Sequence, residues 1–302
     1  MFQSLPICML TMHLPFPITT LSPFPVGIDT SDFSLFSLSI GLTPEGMKAK
    51  DEVLNLVFQW VAIIRDAVND TDLMRKYHDE LRQISDNNFR FRENGDPTSF
   101  ASSAAELLFS CSPERVLRHS SETAEYDEKI AKIFAERMRP ENCFISVIDS
   151  DLEDDGSFLK EKWYKATYLE EDMSDEQIER WTKPTATDDS LYLPALNDFI
   201  PTDFSLKCDK ETKGQAQESD EDDADHKVEP PQVLIDRPEL RLWYKMDSKW
   251  RVPKAYIQLA LLSPNVYRSP RTMTYSRIFE RILNDDLNSF VYDASTTGCN
   301  YR

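Results

Sequence analysis

The chain has 302 residues, 40% of them hydrophobic and 29% charged, and a formal net charge of -19. That apolar share is ordinary for a globular protein and excludes disorder along the whole length. The acidic excess excludes nucleic acid as a partner, because phosphate contacts need clustered Lys and Arg, and it argues equally against an anionic membrane surface.

Residues 1–28 contain no Asp, Glu, Lys or Arg, and Pro6, Pro15, Pro17, Pro23 and Pro25 interrupt the apolar run. Clustered prolines spoil the ladder of a membrane helix, and the basic start of a secretory signal is missing. This stretch is therefore predicted to be a leader outside the fold. Apolar residues alternate strictly from Phe36 to Leu42, the pattern of a half-buried strand. Thr43-Pro44 follows as an N-cap and first helical residue, and Val53, Leu56, Val57, Trp60, Val61 and Ile64 mark one face of a long helix. A second helix after Asp72 carries Leu73, Tyr77, Leu81 and Ile84 on one stripe. A third carries Phe100, Ala104, Leu107 and Leu108, and a fourth Tyr126, Ile130, Ile133, Phe134 and Met138. Cys143 to Ile148 reads as a strand, closing an α+β layer with helices on one face of a mixed or antiparallel sheet.

From Asp149 the chain turns polar and proline-punctuated. Ser174 to Gln177 is a capping-box pattern opening a short helix to Trp181. Glu218 to Asp225 is a dense acidic block, expected to be a solvated spacer. Strands are predicted at Leu240–Met246 and Ala255–Leu262 around a polar turn. Ser269-Pro270 then repeats the cap-plus-proline device before a helix expected to bury Ile278, Phe279, Ile282, Leu283, Leu287 and Phe290.

Catalytic chemistry is hard to place on this chain. Neither H-E-x-x-H nor H-x-x-E-H occurs, and His13, His78, His119 and His226 lie too far apart to share a helical turn. His78-Asp79-Glu80 offers ligand types, but adjacent helical residues diverge, so it reads as a solvated helix face. His119 reads as a surface loop residue. There is no G-x-S-x-G elbow and no glycine cluster to cradle phosphate. Cys111 reads as a buried thiol without a placed base. The other cysteines, Cys8, Cys143, Cys208 and Cys299, are scattered and form no C-x-x-C pair, as in reduced cytoplasmic proteins. No catalytic, metal-ligating or cofactor-binding residue is assigned.

More specific are several ordered strings. Thr43-Pro-Glu-Gly46 follows the alternating strand, and Arg139-Pro-Glu-Asn142 precedes the apolar run at Cys143. Glu161-Lys-Trp-Tyr164 with Ile178-Glu-Arg-Trp181 resembles "EEWYGT…Y…W". Leu193 to Phe204 resembles "LP…N.FIPT.F", and Leu242-Trp-Tyr-Lys-Met-Asp247 with Val252-Pro-Lys-Ala255 resembles "LW(F/Y)K.D…PKA". In this order and spacing they resemble the middle of the insulysin/nardilysin-type zinc metallopeptidases, the insulinase/pitrilysin family of inverzincins, over residues 28–302.

The resemblance implies residues 29–150 as the later part of a second insulinase-type domain. Residues 151–238 would be an interhalf linker with its acidic block at 217–230, and 239–302 the start of a third domain. Relatives of this type carry zinc on H-x-x-E-H in a first domain, and no such residues occur here. The chain is thus expected to be a non-catalytic fragment, supplying chamber wall and hinge to a zinc endopeptidase. The alternative is an inactive paralogue acting as a peptide-binding or regulatory subunit. Peptides or the remaining peptidase domains are the expected partners, and zinc is a cofactor of the full-length family only. Pro194 and Pro201 would stiffen the connector. Phe199, Phe204, Trp243 and Tyr244 are expected in core packing.

Overall fold

The computed structural model describes residues 18–21, 28–29, 34–93, 95–150, 156–184, 188–206, 230–247 and 252–299. The acidic block at Glu218 to Asp225, together with His13, His226, Cys8 and Cys208, lies outside them. The chain divides into two units, residues 1–89 with 95–197, and residues 90–94 with 198–302.

The first unit begins with β1 (Ile18–Leu21), β2 (Ile28–Asp29), β3 (Ser34–Leu35) and β4 (Ile40–Leu42). β1 pairs antiparallel with β4, and β2 with β3. The strand expected from Phe36 is thus confined to its last three residues. β1 falls inside the 1–28 stretch. At Thr43 the hydroxyl accepts the Gly46 N–H at 3.1 Å and Pro44 takes the first position of α1 (Pro44–Lys48). Ala49, at φ -101° and ψ 21°, then breaks the expected single helix into α1 and α2 (Lys50–Ala67).

α2 buries Val53, Leu56, Trp60, Val61 and Ile64 of the predicted stripe, with Phe58 beside them, while Val57 stays half-buried. α3 (Thr71–Arg90) is rotated relative to expectation: it buries Met74, Tyr77 and His78, while Leu73, Leu81 and Ile84 stay half-buried. α5 (Glu128–Arg137) meets this core through Ala131 and Ala135, one turn apart, whose small side chains allow close approach to α2. Leu56, Trp60 and Ile64 of α2, Val68 just after it, Met74 and Tyr77 of α3, Ala131 and Ala135 of α5, and Leu191 form one continuous core.

α4 (Pro97–Leu107) starts on an Asp96 cap, whose carboxylate accepts the Ser99 N–H at 2.7 Å, but buries nothing. Phe100 is 48% exposed and Leu108 50%, so that stripe is not core within this chain. Cys143–Ile148 forms no strand either: the segment has no ladder partner among the described residues, and Phe144 and Ile148 stand exposed. A short hairpin, β5 (Leu159–Lys160) with β6 (Thr167–Tyr168), comes next, then α6 (Asp175–Thr182) with the expected capping box in place at Ser174 and Gln177.

The second unit holds β7 (Gln232–Arg237), β8 (Leu240–Tyr244) and α7 (Pro270–Thr296). β8 lies where a strand is predicted, but its partner differs. It pairs antiparallel with β7 across the two-residue turn Pro238-Glu239, not with Ala255–Leu262. Proline at the turn fixes φ there, which makes this the local, low-entropy pairing. Ala255–Leu262 is not a strand, and Tyr256, Ile257 and Leu262 are more than nine-tenths exposed. α7 opens on the predicted Ser269 cap and Pro270, with Thr272 completing a capping box, yet Ile278, Phe279, Ile282 and Phe290 lie exposed, and Leu283 and Leu287 half-buried. Trp243 and Tyr244 are exposed too, contrary to the core packing expected of them. None of the described residues of the second unit is buried.

Taken together, the described elements are helices with four small antiparallel two-stranded ladders, an α+β arrangement. No described helix is long and apolar enough to cross a membrane.

Candidate functional site: the connector seat

The feature of the first unit with the most specific chemistry is the seat on which residues 188–197 lie. α6 leads into it. Trp181 is buried, its ring stacked on Phe58 with centroids 4.8 Å apart and planes 14° from parallel, and its indole N–H donates to Asn55 Oδ1 at 2.7 Å. The connector that follows has no regular secondary structure, so its backbone groups need partners from elsewhere. Ser190 and Leu191 N–H turn back on Asp188, donating to its Oδ1 and its carbonyl at 2.9 Å each, and side chains of α2 and α3 take three further groups. Asp188 N–H donates to Gln59 Oε1 at 2.8 Å. The Tyr77 hydroxyl donates to the Pro194 carbonyl at 2.6 Å, and Asn197 N–H donates to Glu80 Oε1 at 2.6 Å. Between these anchors Leu191 enters the core and Leu193 packs against it.

Tyr77 is held as a donor. Its burial, and after that the neighbouring Glu80 carboxylate, push the hydroxyl above its ordinary value of 10.0, because both oppose a tyrosinate charge. Past Asn197 the ring contacts change company. Phe199 meets Phe290 edge-on at 5.7 Å, and Phe204 lies 4.8 Å from Phe91, with the Arg90 guanidinium 5.0 and 5.2 Å from those two rings. All of these belong to the second unit.

The residues weighed as ligands or nucleophiles do not converge. His78, expected on a solvated face, is buried instead: it sits one turn beyond Met74 on the inner face, and its Nε2–H donates to the Ala124 carbonyl at 2.8 Å. Its ring lies 5.7 Å from that of Tyr126. Asp79 is exposed and Glu80 serves the connector, so His78-Asp79-Glu80 diverges as helix geometry requires. His119 starts a short 3₁₀ turn and is half-buried. The Cys111 thiol donates to the Leu107 carbonyl at 3.3 Å, and burial raises Cys143 above its ordinary value, as for packed thiols. Among the described residues no three His, Cys, Asp or Glu side chains are grouped to hold a metal, and His78 has its Nε2 committed to a backbone carbonyl. These residues do not fit zinc. The connector seat itself escapes sequence reasoning, because Tyr77 reads as stripe and Glu80 as solvated; a Tyr–Glu pair three apart on a helix is its only local signal.

The fold is similar to that of pitrilysin: a crystal structure of pitrilysin aligns with a TM-score of 0.63 at 24% identity, over 88% of this chain and 26% of that one. Among curated proteins, the chain is 29% identical to a nardilysin-like protein of Arabidopsis thaliana over 273 residues, covering 89% of this chain and 25% of the relative. It is 29% identical to nardilysin of Homo sapiens over 275 residues, covering 90% and 22%. It is 30% identical to the peroxisomal insulin-degrading enzyme-like 1 of Arabidopsis thaliana over 272 residues, covering 90% and 26%. The model of the family described as the middle or third domain of peptidase M16 matches residues 89–302, and the chain belongs to that family. It spans about a quarter of the length of the curated relatives it matches.

Proposed function

We propose that this chain is a non-catalytic segment of an insulysin/nardilysin-like zinc metalloendopeptidase, contributing chamber wall and hinge. The observation that carries the reading is the connector seat, a run without regular structure that is built firmly onto α2 and α3 and followed by a second unit. Zinc hydrolysis needs a metal that acidifies its water and a base that takes the proton. The histidines of this chain are neither spaced for that metal in sequence nor grouped for it among the described residues. The domain layout that goes with this reading is residues 29–150 as the end of a second insulinase-type domain and 239–302 as the start of a third. Residues 151–238 link the two, with the acidic block as solvated spacer. Helices α2, α3 and α5 would then form the helical layer of the earlier domain, over one face of its sheet.

The remaining peptidase domains are the proposed partners. Support comes from the exposed apolar side chains of β7, β8 and α7, such as Leu242, Trp243, Phe279 and Ile282, which a larger chain would cover. The scattered free thiols Cys111, Cys143 and Cys299 support a reducing, cytoplasmic location. The test is to incubate the purified chain with a peptide substrate and zinc, with and without chelator. No chelator-sensitive cleavage is expected. Cleavage that a chelator abolishes would overturn the reading.

A further inference from the structure

Helix α7 carries an exposed stripe whose spacing reads the same in both directions. Its members are Arg271, Tyr275, Ile278, Phe279, Ile282 and Asp286, separated by steps of 4, 3, 1, 3 and 4 residues. At about 100° per residue, all six fall within a band about 100° wide. All six are exposed, whereas the neighbouring stripe of Ser276, Leu283, Leu287 and Val291 is half-buried, so the two faces are distinct. The ends of the exposed stripe carry opposite charges, and the basic end runs against the helix's own preference. A first turn favours acids, yet α7 has none there and Arg271 stands in their place. Its Nε–H donates to the Tyr275 hydroxyl at 2.9 Å, which lays the guanidinium along the stripe. Asp285 adds to the acidic end.

We propose that this stripe is a seam between two copies of the chain, their α7 helices packed antiparallel about a two-fold axis midway between Ile278 and Phe279. That axis sets Ile278 against the partner's Phe279, Tyr275 against the partner's Ile282, and Arg271 against the partner's Asp286, each pair occurring twice. A parallel pairing would put arginine on arginine and aspartate on aspartate, so charge selects the antiparallel one. The antiparallel arrangement also sets the two helix dipoles head to tail. The seam is small, four apolar side chains from each copy within about 22 Å of helix, so the dimer is weak and concentration-dependent. The chain's net charge of -19 opposes association over the rest of the surface. The inference goes beyond the proposed function: it names what covers the stripe when the chain is by itself, and the remaining peptidase domains would compete for the same side chains.

Sedimentation equilibrium of the full 302-residue chain tests this. The 35.0 kDa chain should approach twice that mass at about 100 μM and be monomeric at about 1 μM. Arg271→Asp sets carboxylates together at both ends of the seam and raises the dissociation constant at least about tenfold, and Asp286→Arg does the same with cations. An equimolar mixture of those two variants, in which every end pair is again opposite in charge, associates within about threefold of wild type. Neither change threatens the helix, since both positions are exposed and Arg271→Asp puts an acid where the dipole favours one. A wild type that stays monomeric at the higher concentration overturns the seam and leaves the stripe to other domains. So does association that Arg271→Asp leaves unchanged, because the contact then lies elsewhere, as on the β7–β8 hairpin. Mass is read without metal or substrate, so the outcome is separate from that of the cleavage assay.

Discussion

Lys165 sits at φ 59°, in the left-handed region where a side chain crowds the following carbonyl. It closes the loop between β5 and β6, and the Glu161 carboxylate organises that loop by accepting the N–H groups of Trp163 at 2.7 Å and Tyr164 at 2.6 Å. The string Glu161-Lys-Trp-Tyr164-Lys165-Ala166 departs from the "EEWYGT" pattern where the pattern has glycine, and the backbone there has kept the glycine conformation. Lys165→Gly should therefore stabilise the chain, by up to about 1 kcal/mol, since the left-handed cost is relieved while the freer unfolded chain offsets part of the gain. A urea midpoint that stays the same or falls would contradict this. At this scale the sequence is readable where a residue acts on its neighbours, as Thr43 and Ser174 do in capping. His78 is not readable in that way. Its burial depends on which face of α3 turns inward and on the distant Ala124 carbonyl, neither of which is local information.

At the scale of elements, helices and their starts were legible, whereas strands were legible only in part, at β4 and β8, and their partners were not. Caps and the 3.6-residue stripe act within one segment, and α2, α5, α6 and α7 lie close to where those signals put them. A strand needs a partner. Cys143–Ile148 and Ala255–Leu262 have strand-like composition but no partner among the described residues, whereas β8 found β7 through the Pro238-Glu239 turn. The connector is legible as an extended, proline-stiffened run, but its seat on α2 and α3 is a long-range arrangement. That seat has a definite pH signature. Tyr77 has a folded-state value raised above 10.0, so its stabilisation is complete below that pH and is lost as pH rises through the folded value. The thermal midpoint should fall as pH climbs past 10.0, and Tyr77→Phe, with no hydroxyl to ionise, should fall less steeply. Tyr126 is also raised, again by burial first, and accounts for a slope that persists in the variant. Equal slopes in the two proteins would remove Tyr77 from the account.

Across the whole molecule, burial is lopsided. Every described residue of the hydrophobic core, from Val53 to Leu191, belongs to the first unit. Local opening is least costly where few apolar contacts must be broken, so brief proteolysis should cut within 198–302 well before it cuts α2 or α3. A first cut inside 50–90 would reverse that ranking. The same contrast explains why the family was easier to read from the sequence than the packing. The ordered strings survive in a quarter-length segment, but side chains of α7 predicted as core depend on neighbours that the described residues do not supply.

The β7–β8 hairpin has a consequence for the chain in solution. A two-stranded ladder has two outer rims of peptide groups pointing sideways, and Val233, Leu234, Leu242 and Trp243 clothe this one in exposed apolar side chains. Such a rim is a template on which another extended segment can lay itself. The Asp236–Arg241 pair at 2.9 Å guards the turn end, and exposed Lys245 follows Tyr244 at the open one. The middle of the rim, between those charges, is therefore the less guarded, and in concentrated solutions of the chain the rim should stick to itself there first.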